Sequence, residues 1–246
     1  MTMTTSLLVR VQALGGKFLG PDIGYSLVTI RDVLTGNVLA QGLAEGDSGQ
    51  LVTSAAPPAG ATTGTIVTGS TFQWLVPTSG SPSPTAGLQA DFDLDQPMLV
   101  EISADTLTNG MPNGHRVAAQ TWLVPGVDAV AEPGLVLTIP GLNVQILTPN
   151  VLQPASSPLK VEAWVTMMCG CKISDTTDWR TDEFTVTAMA IDAEGNCAAS
   201  KAMTLQQTSV FCVELTLPSG DYQLVVTAVQ GATSNQGSAS MFIATA

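Results

Sequence analysis

Apolar and polar residues alternate in short runs along most of the chain, and Gly, Pro, Asn and Asp bound these runs. Alternation with period two is typical of β-strands, and no segment repeats its apolar residues at the spacing of an amphipathic helix. The sequence therefore predicts an all-β protein. The predicted strands are 6–14, 25–33, 38–42, 89–94, 98–104, 117–123, 135–139, 143–147, 159–168, 183–192, 197–203, 209–217, 222–230 and 239–245.

A segment rich in Pro and Ser, residues 149–158, separates these strands into two groups. Its composition is typical of a linker, so we predict two β-sandwich domains, residues 1–154 and 155–246. Within the first domain, residues 54–87 form an insertion rich in Pro, Ala, Ser and Thr. Loops of this length are uncommon inside a compact domain, so the insertion is either a functional or interface element or a solvated loop.

The C-terminal domain contains the sequence Pro218-Ser-Gly-Asp-Tyr-Gln-Leu-Val-Val-Thr-Ala228, which follows a turn at 191–196. This segment resembles a late strand of bacterial immunoglobulin-like domains. The resemblance implies an immunoglobulin-like sandwich, and six or seven strands in about 90 residues match that expectation. It implies no particular function, because this fold serves many functions.

The N-terminal domain contains the sequence Leu27-Val-Thr-Ile-Arg-Asp-Val-Leu-Thr-Gly-Asn-Val-Leu-Ala-Gln-Gly42. It describes a strand, a Thr-Gly turn and a returning strand, and it is similar to transthyretin-like modules related to the regulatory domain of carboxypeptidases. The similarity implies a second sandwich. The insertion at 54–87 departs from the pattern of these modules, in which the next strand follows quickly.

Charged residues are unusually scarce in this chain. They make up 11% of the 246 residues, only eight are Lys or Arg, and the net charge is −12, whereas ordinary soluble domains contain about 25% charged residues. So few basic residues disfavour nucleic acid as a partner, and no apolar run is long enough for a membrane-spanning helix. A neutral polar surface is typical of secreted or assembled β-rich proteins, so we expect copies of the chain itself as partners.

The same composition favours an extracellular or cell-surface location. The first residues show no classical secretory signal, since Arg10 interrupts the apolar stretch. A cytoplasmic or virion location therefore stays open at this point.

All four cysteines lie in the C-terminal domain, at Cys169, Cys171, Cys197 and Cys212. On an extended backbone the first two would point to the same side, and the last two are expected to face each other across a hairpin. Their spacing does not match the usual C-x₂₋₄-C pairs of zinc sites, so disulfides are favoured over free thiols or a metal. The three pairings of four cysteines remain open.

Two groups of carboxylates are candidates for a calcium site, which is the one cofactor we consider. Oxygen ligands suit Ca²⁺, but neither group has EF-hand spacing, and a solvated polar face explains both equally well. The candidate residues are Asp91, Asp93, Asp95, Asp175, Asp178 and Asp182.

Catalytic residues are not evident. His115 is the only histidine and lies in a segment rich in turn residues, and no G-x-S-x-G motif is present. We therefore expect the chain not to be an enzyme, although chemistry or metal binding at the four cysteines is kept as a third hypothesis.

The leading hypothesis is a structural subunit that self-assembles into a filament, sheath or surface layer. The alternative is an adhesin-like module that binds a glycan or protein through the loops at 54–87 and 105–115. Contacts between copies are expected to use the apolar island in the insertion and the first strand, because exposed apolar patches and open strand edges mark interaction sites. The candidate residues are Phe72, Trp74, Leu75, Leu7 and Val9.

Overall fold

The computed structural model describes residues 1–23, 25–54, 56–62, 65–68, 71–78, 85–108, 111–149, 158–231, 233 and 235–245. Regular structure in this part of the chain is β-strand apart from two short 3₁₀ turns, Pro21–Ile23 and Thr181–Glu183. The predicted all-β class is confirmed. The described residues contain no helix that is long and apolar enough to span a membrane.

The chain divides into two compact units, unit 1 (Met1–Pro140) and unit 2 (Gly141–Ala246). The sequence placed the boundary near residue 155, within 150–157, which lie outside the described residues. The predicted strand just before that point pairs with the first strand after it, antiparallel. Leu142–Thr148 and Leu159–Met167 are therefore neighbouring strands of one sheet, and both belong to unit 2.

Ten strands lie in the part of unit 1 that the structure describes. They are β1 Met3–Ala13, β2 Ser26–Asp32, β3 Val38–Leu43, β4 Gln50–Thr53, β5 Thr65–Thr68, β6 Thr71–Val76, β7 Leu88–Leu94, β8 Met98–Thr108, β9 Met111–Leu123 and β10 Leu135–Ile139. Two sheets have the orders β10-β1-β7 and β3-β2-β8-β9, and β1 and β10 are parallel. The similarity of unit 1 to transthyretin-like modules stays a prediction.

The insertion is more ordered than the sequence indicated. β4, β5 and β6 form an antiparallel sheet of their own, in the order β4-β6-β5. Leu75 of β6 is fully buried against Phe18 and Ala86, and Leu51 and Val136 pack on this cluster. The apolar island of the insertion therefore packs inside unit 1, whereas the sequence predicted an interface element or a solvated loop.

Arg10 is the one charged residue of strand β1, and its partners explain how it can be buried there. Its guanidinium pairs with Glu132 at 2.7 Å and also donates to the carbonyl oxygens of Thr85, Ala86 and Pro133. Burying a cation is costly unless it is paired and hydrogen-bonded, and these partners meet that requirement. Arg10 thus ties β1 to the segments before β7 and β10.

Among the described residues of unit 2 there are eight strands. They are β11 Leu142–Thr148, β12 Leu159–Met167, β13 Phe184–Ile191, β14 Cys197–Ala202, β15 Thr204–Gln207, β16 Val210–Leu215, β17 Gly220–Gln230 and β18 Asn235–Thr245. The two sheets have the orders β11-β12-β16-β15 and β14-β13-β17-β18. These are the A-B-E-D and C-F-G sheets of a constant-type immunoglobulin fold, with β14 added at the edge of the second sheet.

A corner at the start of β17 supports this assignment. The hydroxyl of Tyr222 donates to the carbonyl oxygen of Pro218 at 3.1 Å, four residues upstream. A tyrosine that hydrogen-bonds back to the preceding turn at the start of strand F is a feature of immunoglobulin-like sandwiches. The segment that carried the resemblance in the sequence therefore has the expected local structure.

Gly237 allows β11 and β18 to approach closely. A Cβ atom added at this position would overlap the main-chain carbonyl of Leu142. The amide nitrogen of Gly141 also donates to Asn235 Oδ1 at 3.1 Å. The start of unit 2 is thus fixed against its last strand.

We expect Gly237→Ala to lower the free energy of unfolding by about 1–3 kcal/mol, because overpacking forces the backbone apart. Gly231→Ala is the matched control, since nothing lies within 4 Å of a Cβ there. Urea unfolding followed by tryptophan fluorescence compares the two variants. Equal midpoints would show that β11 does not pack as described.

Candidate functional site

The sheet β14-β13-β17-β18 has one face in the core and one face toward solvent. Side chains alternate between these faces along each strand, as the burial pattern of β13 and β17 shows. The inward residues of these two strands fill the core. They are Phe184, Val186, Ala188, Ala190, Tyr222, Leu224, Val226, Ala228 and Gln230.

The outward side chains of this sheet form a surface that we call the neutral face. Strand register sets them in cross-strand rows such as Ile191–Gln223–Phe242 and Met189–Val225–Ser240. None of them is charged, and the one acidic residue on this side of β17, Asp221, lies at its end. The neutral face consists of Thr185, Thr187, Met189, Ile191, Ser200, Ala202, Gln223, Val225, Thr227, Val229, Gln236, Ser238, Ser240 and Phe242.

Phe242 is the most unusual residue of the neutral face. It is 76% exposed, although an aromatic side chain of this size normally buries most of its area. It borders a shallow depression of about 350 Å³ together with Ile191, Gln223 and the acidic residues Asp192 and Asp221. An exposed aromatic ring in a depression is a feature of contact sites.

The outer side of the other sheet of unit 2 differs, because it is charged. Lys160 and Glu162 on β12 form an ion pair of 2.7 Å, and Glu214 lies opposite Lys160 on β16. The hydrogen bond to Glu162 raises the pKa of Lys160, and the same bond lowers the pKa of Glu162. The few charges of unit 2 are therefore distributed unevenly between its two outer faces.

Unit 1 also has exposed apolar side chains, which we call the unit 1 patch: Trp122, Val124 and Val127. They lie at the end of β9 and in the segment that follows it, and Trp122 is 61% exposed. Trp122 lies in a predicted strand, and the strand pattern alone does not show which side of the sheet it faces. Leu123 faces the core, so its neighbour Trp122 must face outward.

The interface residues predicted from the sequence are mostly not at the surface. Leu7 and Val9 are buried in β1, which lies between β10 and β7 and so offers no free edge. Leu75 is buried as well, so these three residues are corrected from interface to core. Trp74 is partly buried and donates from Nε1 to the carbonyl oxygen of Ser54 at 3.1 Å. The side chain of Phe72 lies outside the described residues.

The four cysteines do not converge as the sequence suggested. Cys169 and Cys171 lie in the loop after β12, with their sulfur atoms 2.7 Å apart. Cys197 is exposed at the start of β14, whereas Cys212 lies on β16 in the other sheet, opposite Thr204. Cys197 and Cys212 do not face each other across the predicted hairpin, because β14 and β16 belong to different sheets. All four lie in the described part of the chain, and none of them is joined in a disulfide in this structure.

The acidic residues are placed as a solvated face would place them. Asp91 and Asp93 point outward from β7 while Phe92 and Leu94 are buried, and Asp93 accepts a hydrogen bond from Thr4. Asp95 follows directly after the strand.

In the second acidic group, an arginine occupies the loop. Arg180 pairs with Asp182 at 3.3 Å and donates to the carbonyl oxygen of Asp175, and Asp178 is exposed nearby in sequence. A positive charge here opposes cation binding. Among the residues that the structure describes, no three His, Cys, Asp or Glu side chains are grouped to hold a metal, so calcium gains no support.

His115 lies in strand β9 rather than in a loop, which corrects its predicted setting. Its carbonyl oxygen accepts a hydrogen bond from the hydroxyl of Thr106. Burial lowers the pKa of the imidazole, and a backbone hydrogen bond to Pro140 opposes this shift in part. The environment of His115 is therefore that of a strand residue, and the pairing of β8 with β9 sets it.

Comparison with known proteins adds little to this description. No family model matches the chain, and no curated protein matches it. Fibronectin(III)-like modules of Clostridium thermocellum CbhA align with 99% of this chain and 94% of their own, at 12% identity and a TM-score of 0.30. A Bacteroides ovatus protein proposed to be an adhesin aligns with 96% of this chain and 76% of its own, at 8% identity and a TM-score of 0.25. At such scores the likeness carries no argument, and the fold rests on strand topology.

We expect the stability of the protein to fall as pH decreases through about 6.5, in part because of His115. Its pKa is lowered in the folded chain, so below the unfolded value the unfolded state takes up the proton more readily. His115→Gln should reduce the difference between urea midpoints at pH 7.5 and pH 5.5. An unchanged difference would show that this imidazole does not contribute.

Proposed function

We propose that this protein is a non-enzymatic structural subunit that assembles with copies of itself through the neutral face. The uncharged outer face of the sheet β14-β13-β17-β18, with the exposed ring of Phe242, is the observation that carries the proposal. A face without charges can be buried against another protein without the cost of desolvating unpaired ions. The assembly is a filament, sheath or surface layer.

The neutral face is large enough for such a contact. Its strands contain 8, 6, 11 and 11 residues. At about 3.4 Å per residue and about 4.8 Å between strands, this sheet covers about 600 Å². A standard interface buries about 800 Å² on each partner, so the face and its margins provide most of that area.

Growth beyond a pair requires a second contact on each subunit. The unit 1 patch around Trp122 supplies a candidate, because it is apolar and lies on the other unit. A subunit that contacts one neighbour through the neutral face and another through the unit 1 patch leaves a free contact at each end of the growing chain. Contacts that do not close a ring produce open polymers.

Net charge opposes this assembly at a distance. Each copy carries −12, and like charges repel over about 10 Å at 0.1 M salt. Salt shortens that range, while contacts between uncharged side chains are not weakened by it. Assembly of this subunit is therefore favoured by rising salt concentration, in contrast to association through ion pairs.

The proposed location is outside the cell or on its surface. The support is the polar but uncharged character of the neutral face, which consists mainly of Thr, Ser and Gln between the apolar residues. Surfaces of this kind remain hydrated without many charges. Nucleic acid is not among the proposed partners, since the chain has only eight basic residues.

A second candidate function is glycan or protein binding by an adhesin-like module. The depression beside Phe242 favours it, because an aromatic ring next to the carboxylates of Asp192 and Asp221 can stack on a sugar ring while the oxygens accept hydroxyl hydrogens. This depression lies at one end of the neutral face. The predicted binding loops 54–87 and 105–115 belong to unit 1, so they are not part of it.

We expect Phe242→Glu to weaken assembly at least about tenfold, because each 1.4 kcal/mol changes an association constant by a factor of ten and the new charge would be buried unpaired. Sedimentation velocity between low and high salt measures the oligomer distribution of the wild-type protein and the variant. The wild-type protein should form larger species as salt increases.

Leu147→Glu is the matched control, because Leu147 is also exposed, belongs to unit 2 and lies on β11 in the other sheet. It should assemble like the wild-type protein. A wild-type protein that stays monomeric at every salt concentration would refute self-assembly. Glycan binding that is lost in Phe242→Glu would then support the second candidate.

A further inference from the structure

The loop that follows β12 brings two cysteines together in a fixed geometry. Cys169 and Cys171 are separated only by Gly170, whose φ is +76°. A fully extended chain would hold Cα atoms two residues apart at about 6.8 Å, the upper limit for a disulfide. The left-handed turn at Gly170, which other residues rarely adopt, shortens this distance.

Hydrogen bonds close the loop onto the strand that precedes it. The amide nitrogen of Gly170 donates to the carbonyl oxygen of Met167 at 2.8 Å, and the amide nitrogen of Met167 donates to the carbonyl oxygen of Cys171 at 3.1 Å. Lys172 then pairs with Thr166 as an antiparallel bridge. The loop therefore starts at the end of β12, and the residue that follows it pairs back with β12.

A side chain from the neighbouring strand β11 also forms hydrogen bonds with this loop. Asn143 of β11 is buried and donates from Nδ2 to the carbonyl oxygens of Met167 and Met168, at 3.1 and 3.4 Å. A buried amide that serves two loop carbonyls restricts the backbone of the turn. The positions of the two sulfur atoms are thus set by main-chain and side-chain contacts.

The two thiols differ in access. Cys169 is only 2% exposed, whereas Cys171 is partly exposed, and their Sγ atoms are 2.7 Å apart. Exposure determines which thiol meets a reagent first. An exposed thiol beside a buried one is the arrangement of an attacking and a resolving cysteine.

We propose that Cys169 and Cys171 form a redox pair that closes to a disulfide within this loop, with a small-molecule disulfide as the oxidant. The thiolate of Cys171 attacks one sulfur of the oxidant, and the first thiolate of the oxidant leaves. The thiolate of Cys169 then attacks Sγ of Cys171, and the second thiolate leaves. The two cysteines lose two protons and two electrons, and the oxidant is reduced to two thiols.

The other two cysteines do not take part. Cys197 and Cys212 lie on strands of opposite sheets, and each is paired in register with residues other than cysteine. Neither lies in the loop held by Asn143. The proposal therefore contains one disulfide, between Cys169 and Cys171, and leaves Cys197 and Cys212 reduced, which differs from each of the three complete pairings of four cysteines.

The test is thiol mapping of the full chain. The reduced protein is incubated with oxidised glutathione, quenched in acid, alkylated under denaturing conditions and analysed by mass spectrometry. We expect a peptide with 169–171 that carries neither label nor glutathione, whereas the exposed Cys197 carries label or glutathione. In the variant with Cys197→Ser and Cys212→Ser the intact mass should fall by two hydrogens. The variant with Cys197→Ser and Cys212→Ser should give the same ring.

Two single variants test the order of the steps. In Cys169→Ser, which lacks the resolving thiol, glutathione should stay attached at Cys171. In Cys171→Ser, the buried Cys169 should react at least about tenfold more slowly than Cys171 does. Circular dichroism confirms that each variant is folded.

Three results would overturn the proposal. One is alkylation of all four thiols after oxidation, and another is a cross-link that includes Cys197 or Cys212. The third is stable glutathione on Cys171 in the protein that retains Cys169. The double variant retains Cys169 and Cys171, so alkylation of both of them, or stable glutathione on Cys171, would overturn the proposal even if replacement of the buried Cys169 prevents folding.

Discussion

The pairing of β17 with both of its neighbours is the interaction on which unit 2 depends. β17 is hydrogen-bonded along its length to β13 on one side and β18 on the other. Because side chains alternate with period two, this one register directs Leu224 and Val226 into the core and Gln223 and Val225 outward. A shift of one residue would exchange the two sets, so the core and the outer surface are specified by the same hydrogen bonds.

The few charged residues of this protein are concentrated in particular parts of the structure. In unit 2 the Lys160–Glu162 ion pair and Glu214 lie on the outside of the sheet that contains β12, whereas the neutral face has no charged side chain between its ends. In unit 1 the buried cation Arg10 is used to connect segments, rather than to keep the surface soluble. The outer face that we propose as the contact between copies is thus the one that lacks charge.

Much of the fold could be predicted from the sequence, because alternation is a local signal. The strand at 135–139 has the predicted bounds, and the turn after β2 forms where Thr35 and Gly36 indicated it. The short strands β4, β5 and β15 were not predicted. Four residues are too few to show alternation, and their pairing depends on partners distant in sequence.

The candidate site was less predictable, because it depends on which side of a strand faces the core. Leu7, Val9 and Leu75 were assigned to the surface although they are buried, since a strand pattern does not show whether a given apolar residue is the inward or the outward one. Phe242 was part of a predicted strand and carried no separate signal. The C-x-C spacing was visible, but the hydrogen bonds that fix its loop come from Asn143 in another strand.

The approach of β11 to β18 at Gly237 has a consequence for how the chain reaches its folded state. β18 is an edge strand of eleven residues, paired on one side only, and long edges of this kind recruit strands from other molecules. β11 lies beside it and covers part of that edge. In a newly made chain in which β11 has not yet packed on β18, this edge is exposed and can pair with a strand of another chain. Packing of β11 on β18 therefore protects the chain against misassembly.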